Sequence, residues 1–272
     1  MGVVNVTPDS FSDGGRFLDP GDAVAHGERL AAEGAEILDI GGESTRPGSD
    51  PVPAEEELRR VLPVIDGLAA TGAQLSIDTS KTVVATAALD AGASYVNDVT
   101  AFRGDPELAG LVADRGVECC LMHMLGTPRT MQDDPRYEDV VADVKAFLEE
   151  RLSAAVAAGV AEERVMLDPG IGFGKTVEHN LELLRRLDEI VTLGRPVVVG
   201  ASRKSFLGRI TGREVDERAV ATAAVNVLAL ERGASVFRVH DVAETRDALS
   251  VAAATLAGRW PATSPRTTTT TT

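Results

Sequence analysis

The chain has 272 residues, a hydrophobic fraction of 44% and a formal net charge of −15, from 27 Lys and Arg against 42 Asp and Glu. This length can bury a substantial core, and the negative field argues against nucleic acid as a partner. No apolar run approaches the length of a membrane span, so we expect no membrane partner. Cys119 and Cys120 are adjacent in an apolar run, which predicts free thiols and a cytoplasmic protein.

Short β-rich segments alternate with amphipathic segments along the whole chain. They predict strands at residues 2–6, 36–40, 74–78, 94–97, 118–123, 164–168, 196–201 and 235–240. The segments between and after them predict helices at residues 22–33, 54–70, 82–91, 106–115, 136–158, 177–191, 216–231 and 243–257. Most of these helices are followed by a glycine, such as Gly116 or Gly233, which suits a left-handed cap.

Strict strand–helix alternation predicts a parallel sheet covered by helices. An open doubly wound sheet and a closed (β/α)₈ TIM barrel both satisfy this rule. Eight units in about 250 residues favour the barrel. With no break in composition, residues 1–260 are predicted to form one barrel domain, and the threonine-rich residues 261–272 a disordered tail of low complexity.

Polar residues collect at the predicted carboxyl ends of the strands, where a barrel places its catalytic groups. A single residue of this kind is readily explained as a helix cap or a loop anchor. The whole set, converging on one rim, indicates a site. Its members are Asn5, Asp39, Asp78, Asn97, His123, Asp168, Arg203, Lys204, Arg238, His240 and Asp241.

Three common site motifs do not fit. The segment DSFSDG at residues 9–14 lacks the third and twelfth oxygen ligands of a calcium loop, because Phe11 and Pro20 occupy those positions. The glycine-rich segment at residues 170–176 misses the P-loop pattern, because Pro169 stands where its first glycine belongs. The four histidines and two cysteines show no zinc spacing.

The remaining polar residues fall into two chemical groups. Asp78, Asn97 and Asp168 suit the planar hydrogen-bonding edge of a nitrogen-rich heterocycle. Cationic and donor groups suit a phosphate or diphosphate; they are Ser44, Thr45, Arg46, Arg203, Lys204, Arg238 and His240. The sequence therefore predicts a pocket for a flat polar ring joined to an anionic group.

Six segments in the right order resemble dihydropteroate synthase. They are NVTPDSFSDGG (5–15), DIGGESTRPG (39–48), SIDTSK (76–81), LDPGIGFGK (167–175), SRKS (202–205) and RVHD (238–241). The resemblance extends over residues 1–260. It implies a cytoplasmic, homodimeric (β/α)₈ barrel that joins 4-aminobenzoate to 6-hydroxymethyl-7,8-dihydropterin diphosphate, uses Mg²⁺ and is the target of sulfonamides. Relatives usually carry an N-terminal extension, so the resemblance also implies an open barrel floor or a start upstream of Met1.

The resemblance also implies roles for individual residues. Asp168, Lys204, Arg238 and His240 are expected to be catalytic, with Asp168 stabilising the cation that develops on the pterin, and Asn5 is expected to contact Mg²⁺. The pterin ring is expected to contact Asp78, Asn97, Asp168, Met122 and Lys204, and the diphosphate Thr45, Arg46, Arg238 and His240. The aminobenzoate is expected near Thr45, Pro47, Phe173, Lys204 and Ser205, and further substrate contacts are expected from Gly172 and Val239.

Other interpretations remain open at this point. Lys204 could be the Schiff-base lysine of a barrel aldolase, although it follows the predicted strand instead of projecting from it. The chain could also be a methyltetrahydrofolate-type pterin methyltransferase or a non-catalytic pterin-binding paralogue. Finally, residues 7–15 are too polar for a core, and we expect them to form a lid that orders over the diphosphate.

Overall fold

The computed structural model describes residues 1–7 and 20–259. Most of the predicted lid and the whole predicted tail therefore lie outside the described residues. The strands follow the predicted order: β1 (Gly2–Asn5), β2 (Ile37–Gly41), β3 (Gln74–Asp78), β4 (Tyr95–Asp98), β5 (Glu118–Met122), β6 (Val165–Asp168), β7 (Val198–Val199) and β8 (Val236–Phe237).

The strands form a closed ring. β1 to β6 pair in sequence order, every pair parallel, and β7 pairs with β8. The N–H of Leu167 donates to the carbonyl of Pro196 (2.9 Å), which joins β6 to the β7 segment. The N–H of Val3 donates to the carbonyl of Val239 (3.0 Å), which joins β1 to the β8 segment. The predicted (β/α)₈ barrel is therefore confirmed.

Helices follow the strands and cover the outside of the ring. They are α1 (Pro20–Ala32), α2 (Ala54–Leu68), α3 (Thr82–Asp90), α4 (Leu108–Arg115), α5 (Val140–Ala157), α6 (Val177–Arg185), α7 (Leu187–Val191), α8 (Ser205–Thr211), α9 (Ala219–Glu231) and α10 (Val242–Ala257). Two 3₁₀ turns, Glu162–Arg164 and Val215–Glu217, complete the connections. Within the described ranges, no helix combines the length and apolar character that a membrane span requires.

Successive strand residues face opposite sides of the sheet, and this alternation separates two cores. On β4, Val96 packs in the main core between sheet and helices, whereas Tyr95 belongs to a cluster with Cys120 inside the barrel. Cys119 joins the main core instead, and both thiols are free, as predicted. Positions on the inward side, nearer the carboxyl ends of the strands, are therefore the ones available to build a site.

Several element boundaries differ from the prediction. The helix predicted over 136–158 begins at Val140, because the Asp139 carboxylate caps it by accepting from the N–H groups of Val141 and Ala142. The helix predicted over 177–191 is two helices, α6 and α7, because the backbone leaves helical geometry at Arg186 (φ −112°, ψ 28°). α8 was not predicted.

Candidate active site

An open cavity of about 640 Å³, here called the outer cavity, lies at the carboxyl ends of the strands. A much smaller inner pocket continues from it, and the two share Thr45, Phe173, Gly200, Lys204 and Arg238 as lining residues. The inner pocket is also lined by Asn97, Val99, Met122, Asp168, Gly170 and Ile171. Most of the predicted rim residues thus line one continuous space, whereas Asp39, His123 and Asp241 line neither pocket.

Arg238 connects three strands at the bottom of this space. Its Nε donates to Asp39 Oδ2 (2.6 Å) and its Nη2 donates to Asp78 Oδ2 (2.8 Å). Burial opposes the charge of Arg238, but Asp39 and Asp78 outweigh this effect and raise its pKa above the usual range. The guanidinium is therefore a permanent cation whose position is fixed by two carboxylates.

Asp39 is the centre of a hydrogen-bond network inside the barrel. It is fully buried, and it accepts from Ser76 Oγ (2.6 Å), Asn97 Nδ2 (3.0 Å) and Arg238. The sequence placed Asp39 at a strand exit without giving it a role. Its position inside β2, flanked by Leu38 and Ile40, is the signal that could have identified a buried, partnered carboxylate.

Asp78 and Asp168 are buried carboxyls that face the ligand space. Burial raises the pKa of Asp78, against the opposing effect of Arg238. Burial also raises the pKa of Asp168 to about 6, although the N–H of Gly170 (2.7 Å) and the charges of Lys204, Arg238 and Lys175 oppose the shift. Asp168 is thus largely ionised at neutral pH while remaining a strong acceptor in an apolar setting.

Lys204 and Phe173 form the wall between the inner pocket and the outer cavity. The Nζ of Lys204 lies 4.0 Å from the centroid of the Phe173 ring, a cation–π contact. Burial and the nearby guanidinium of Arg238 lower the pKa of Lys204 to about 8. Lys204 is the residue just before α8, so it projects from a loop and not from β7 itself.

Two residues expected to be cationic have different electrostatic roles. Burial and the neighbouring Arg203, Arg238 and Lys204 hold the pKa of His240 well below its usual range, so His240 is neutral and hydrogen-bonds Ser202 Oγ through Nδ1 (3.0 Å). The guanidinium of Arg203 is committed to Asp241, from Nε (3.0 Å) and Nη2 (2.6 Å). His240 can therefore bind an anion only as a neutral donor, and the charge of Arg203 is already balanced.

The loop after β2 brings Thr45, Arg46 and Pro47 to the outer cavity. The base of this loop is held by Lys81, which forms ion pairs with Glu43 and with the fully buried Glu57 of α2. This lysine bridges two acids on separate elements and so fixes the loop relative to α2.

No group of three or more His, Cys, Asp or Glu side chains that could hold a metal ion occurs in residues 1–7 and 20–259. Asn5 ends β1 and lines the outer cavity. A single amide oxygen is a poor site for a resident metal, but it suits a Mg²⁺ ion whose other ligands come from a phosphate group and water.

Comparisons with known proteins agree with this geometry. The model of the family described as pterin binding enzyme matches residues 1–240. The chain belongs to the pterin binding enzyme family. It is 50% identical over 263 residues to the dihydropteroate synthase of Mycobacterium leprae, covering 94% of this chain and 93% of the relative.

Solved structures of pterin binding enzymes show the same fold. The Yersinia pestis dihydropteroate synthase, solved with a sulfonamide drug, superposes with a TM-score of 0.92 at 43% identity, covering 94% of each chain. The Xanthomonas albilineans enzyme, solved with 7,8-dihydropteroate, has a TM-score of 0.85 at 50% identity, covering 94% of this chain and 93% of that one. The resemblance stated from the sequence is thereby confirmed.

The structure places nearly all of the predicted substrate residues of this pterin binding enzyme around the two pockets. Asn97, Met122 and Asp168 line the inner pocket, and Thr45, Phe173, Lys204 and Arg238 line both. The outer cavity also holds Asn5, Arg46, Pro47, Asp78, Gly172, Ser205 and His240. Val239 lines neither pocket: its side chain is buried in the main core, and its backbone joins β8 to β1.

Two further polar residues near the site were missed by sequence reasoning. Both line the outer cavity: Lys175 is a buried residue directly after the glycine-rich loop at residues 170–174, and Asn180 of α6 accepts from the N–H of Gly172 (2.7 Å). In the sequence, Lys175 falls in a segment of the family resemblance and in a failed P-loop pattern, but neither assigned it a role. A lysine directly after so many glycines, and before the Thr176 cap of α6, was the signal available.

Proposed function

We propose that this protein joins 4-aminobenzoate to 6-hydroxymethyl-7,8-dihydropterin diphosphate, forming 7,8-dihydropteroate and releasing diphosphate. The observation that carries the proposal is the division of the site into an inner pocket and an outer cavity that share Lys204 and Arg238. A flat ring and an anionic group can then occupy neighbouring spaces, with the carbon that joins them beside both cations. The dihydropteroate bound to the Xanthomonas enzyme supports this assignment.

The inner pocket has the groups that a pterin ring requires. Asp168 offers carboxyl oxygens to ring N–H and amino groups, and Asp78 does so from the adjoining outer cavity. Asn97 keeps its side-chain oxygen available because its Nδ2 donates to Asp39. Met122 and Phe173 supply apolar contact for the faces of the ring. We propose that ionised Asp168 also stabilises the positive charge that develops on the pterin as the C–O bond to diphosphate breaks.

The leaving diphosphate is assigned to the cationic side of the outer cavity. Arg46 and Arg238 provide charge, and Thr45 and neutral His240 provide hydrogen-bond donors. Asn5 is proposed to contribute one oxygen ligand to a Mg²⁺ ion carried by the diphosphate. That ion would neutralise charge on the leaving group.

4-Aminobenzoate is assigned to the part of the outer cavity formed by Thr45, Pro47, Phe173, Lys204 and Ser205. Its amine would attack the pterin methylene carbon as the C–O bond breaks, and would then lose one proton. An aniline of this kind is already a neutral nucleophile, so the proposal requires no covalent intermediate on the protein. A sulfonamide would compete for the same space, as the drug-bound Yersinia enzyme suggests.

Diphosphate release tests the proposal directly. The protein, Mg²⁺, the pterin diphosphate and 4-aminobenzoate should together yield diphosphate and 7,8-dihydropteroate, and omission of either substrate should abolish product formation. A sulfonamide should raise the KM for 4-aminobenzoate without changing kcat. Well-folded protein that forms no dihydropteroate, or that binds methyltetrahydrofolate tightly and the pterin diphosphate not at all, would overturn the proposal.

We propose that the protein acts as a homodimer through α9 and α10. Four large apolar side chains are exposed on these two adjacent helices, Val220 (82% exposed), Leu228 (57%), Val251 (64%) and Leu256 (58%). A concentration of apolar surface of this kind is typical of a protein interface. Val220→Lys combined with Val251→Lys should give a monomer by sedimentation equilibrium, whereas a wild-type monomer at micromolar concentration would contradict the proposal.

A cytoplasmic location is part of the same proposal. The free, buried thiols of Cys119 and Cys120 support a reducing compartment.

A further inference from the structure

Lysine is rare in this chain, and its placement is not random. Of the 27 basic residues only four are lysines, Lys81, Lys145, Lys175 and Lys204. Three of them lie in loops at the carboxyl ends of strands, and only Lys145 lies on a helix. Lysine differs from arginine in its compact head with three donors and in a pKa that burial shifts readily. A lysine retained at a buried position of this rim therefore calls for a specific explanation.

Lys175 is the most deeply buried of these lysines, at 3% exposure, and it has no carboxylate partner within ion-pair distance among the described residues. Its Nζ is hydrogen-bonded to His123 Nδ1 (2.8 Å) and donates to the carbonyl of Phe173 (2.9 Å). Burying an ammonium without a counter-ion is costly. The two acceptors offset part of this cost. They also show which groups Lys175 connects, the ring of His123 and the backbone of Phe173.

His123 is an acceptor for Lys175 and not a base for the reaction. Burial, followed by the charges of Lys175 and Arg103, lowers the pKa of His123 to about 2. The ring is therefore neutral, and its Nδ1 lone pair is available to the ammonium. His123 lines neither pocket, and its ring packs edge-on against Phe147 with centroids 4.8 Å apart. His123 is therefore a fixed hydrogen-bond partner that holds the ammonium of Lys175 in position next to the site.

The second acceptor belongs to the loop that forms the wall between the two pockets. The loop lies tight against His123: a Cβ on Gly170 would fall 1.8 Å from the His123 carbonyl oxygen, and Gly170 has a left-handed φ of +68°. Lys175 holds the carbonyl of Phe173, and the ring of the same residue contacts Lys204. Movement of this carbonyl would move the ring that both pockets share.

Lys175 also contributes charge near Asp168. Its Nζ lies close to Gly170, whose N–H donates to Asp168 Oδ1. The charged groups that act on Asp168 are Lys204, Arg238 and Lys175, all of which favour the carboxylate. Burial lowers the pKa of Lys175 to about 7, with Asp168 opposing and Lys204 reinforcing the shift. At pH 6, where about half of Asp168 is ionised, most of Lys175 is therefore still the ammonium.

We propose that Lys175 is a positioning residue: mounted on His123, it holds Phe173 in the wall between the two substrates and places a positive charge behind Asp168. This inference rests on the proposed function, because it concerns the same two substrates. Lys175 lines the outer cavity, but its Nζ is hydrogen-bonded to His123 and to the Phe173 carbonyl, so it acts through Phe173 and Asp168 and not by donating to either reactant.

The test compares Lys175→Met, which keeps the length of the side chain and removes the charge and donors, with Lys145→Met as the matched control. We expect Lys175→Met to raise the KM for 4-aminobenzoate at least fivefold, because Phe173 loses its anchor. We also expect the acid limb of its kcat/KM profile to move to higher pH by at least half a unit. Lys145→Met should leave both unchanged, because Lys145 lines neither pocket.

A purely structural lysine would give a different result. If Lys175→Met melts at a lower temperature but keeps the wild-type KM values and acid limb, the proposal is wrong. His123→Leu provides a second route if Lys175→Met does not fold, because it removes the mount and keeps the ammonium. It should raise the KM for 4-aminobenzoate while leaving the acid limb near the wild-type pH, and an unchanged KM would overturn the proposal.

Direct binding separates this inference from the proposed function. Calorimetric titration of each folded variant with the pterin diphosphate and Mg²⁺ reports on the inner pocket without any turnover. If wild type forms no dihydropteroate, the proposed function fails. The positioning role then stands if Lys175→Met weakens pterin binding more at pH 6 than at pH 8, and it falls if the two proteins bind alike at both.

Discussion

Arg238 donates from Nε to Asp39 across 2.6 Å, although the two residues lie 199 positions apart in the chain. The contact joins β2 to the segment after β8 through the inside of the barrel. Asp39 is fully buried, so its charge depends on Arg238, Ser76 and Asn97 for compensation. The cation assigned to the leaving diphosphate is thus also a structural counter-ion.

We predict that Arg238→Lys will lose activity almost as completely as Arg238→Met, because an ammonium cannot reach Asp39 and Asp78 together. The expected loss in kcat/KM is on the order of a hundredfold or more for each variant, with a loss of about 3 kcal/mol in the free energy of unfolding. A double-mutant cycle with Asp39→Asn measures the coupling by urea unfolding. Additive effects of the two substitutions would contradict the shared role of this pair.

We expect the ionised carboxylate of Asp168 to lower the free energy of unfolding while it supports catalysis. Its pKa is about 6 in the folded protein and 3.8 in the unfolded chain. Between these values the folded state holds the extra proton, so the free energy of unfolding falls as pH rises from 4 to 6 and then stays reduced. Asp168→Asn should remove this effect. The free energy of unfolding of the variant minus that of wild type should therefore be about 2 kcal/mol larger at pH 7.5 than at pH 4.

The same variant should lose kcat, because an amide cannot stabilise a developing cation as a carboxylate does. Wild-type kcat/KM is expected to decline as pH falls through about 6, the pKa of Asp168. Urea unfolding at the two pH values and a steady-state pH profile measure both effects. A variant that is inactive yet shows the wild-type pH dependence of stability would mean that another group titrates.

Lys81 is predicted to set the position of the loop that carries Thr45, Arg46 and Pro47. Lys81→Met leaves Glu57 buried without its cation and releases Glu43 at the base of the loop. We expect a loss of about 3 kcal/mol in the free energy of unfolding and a several-fold rise in the KM for 4-aminobenzoate. Adding Glu57→Gln should restore part of the stability but not the KM. If the double variant regains both the stability and the KM of wild type, the rise in KM arises from α2 and not from the loop.

Much of this architecture could be predicted from the sequence, because strand–helix alternation and strand-exit polar residues are local patterns. The rim residues Asp78, Asn97, Asp168 and Lys204 were found in this way. The break at Arg186 and the short helix α8 were not, because each depends on tertiary contacts: Arg186 binds Asp139, which is distant in the chain, and Phe206 and Leu207 of α8 are buried. Helical periodicity over seven residues carries little signal.

Electrostatic roles were harder to predict than positions. His240 and Arg203 lie near the expected anion site, but the sequence could not show that burial among cations keeps His240 neutral or that Asp241 balances Arg203. The sequence assigned no role to Asp39 or Lys175 for the same reason. The importance of each depends on partners far away in the chain, Arg238 for Asp39 and His123 for Lys175.

The final prediction concerns Lys175 and the pH dependence of the free energy of unfolding. Its pKa is about 7 in the folded protein and 10.5 in the unfolded chain, so between these values the unfolded state holds the extra proton. The free energy of unfolding of wild type should therefore rise with pH relative to Lys175→Met, by about 3 kcal/mol from pH 7 to pH 9.5. Urea unfolding of both proteins, with Lys145→Met as control, measures the difference. If the wild-type and Lys175→Met curves run parallel over this range, Lys175 is not buried as a titrating amine, and its charge cannot act on Asp168 as proposed.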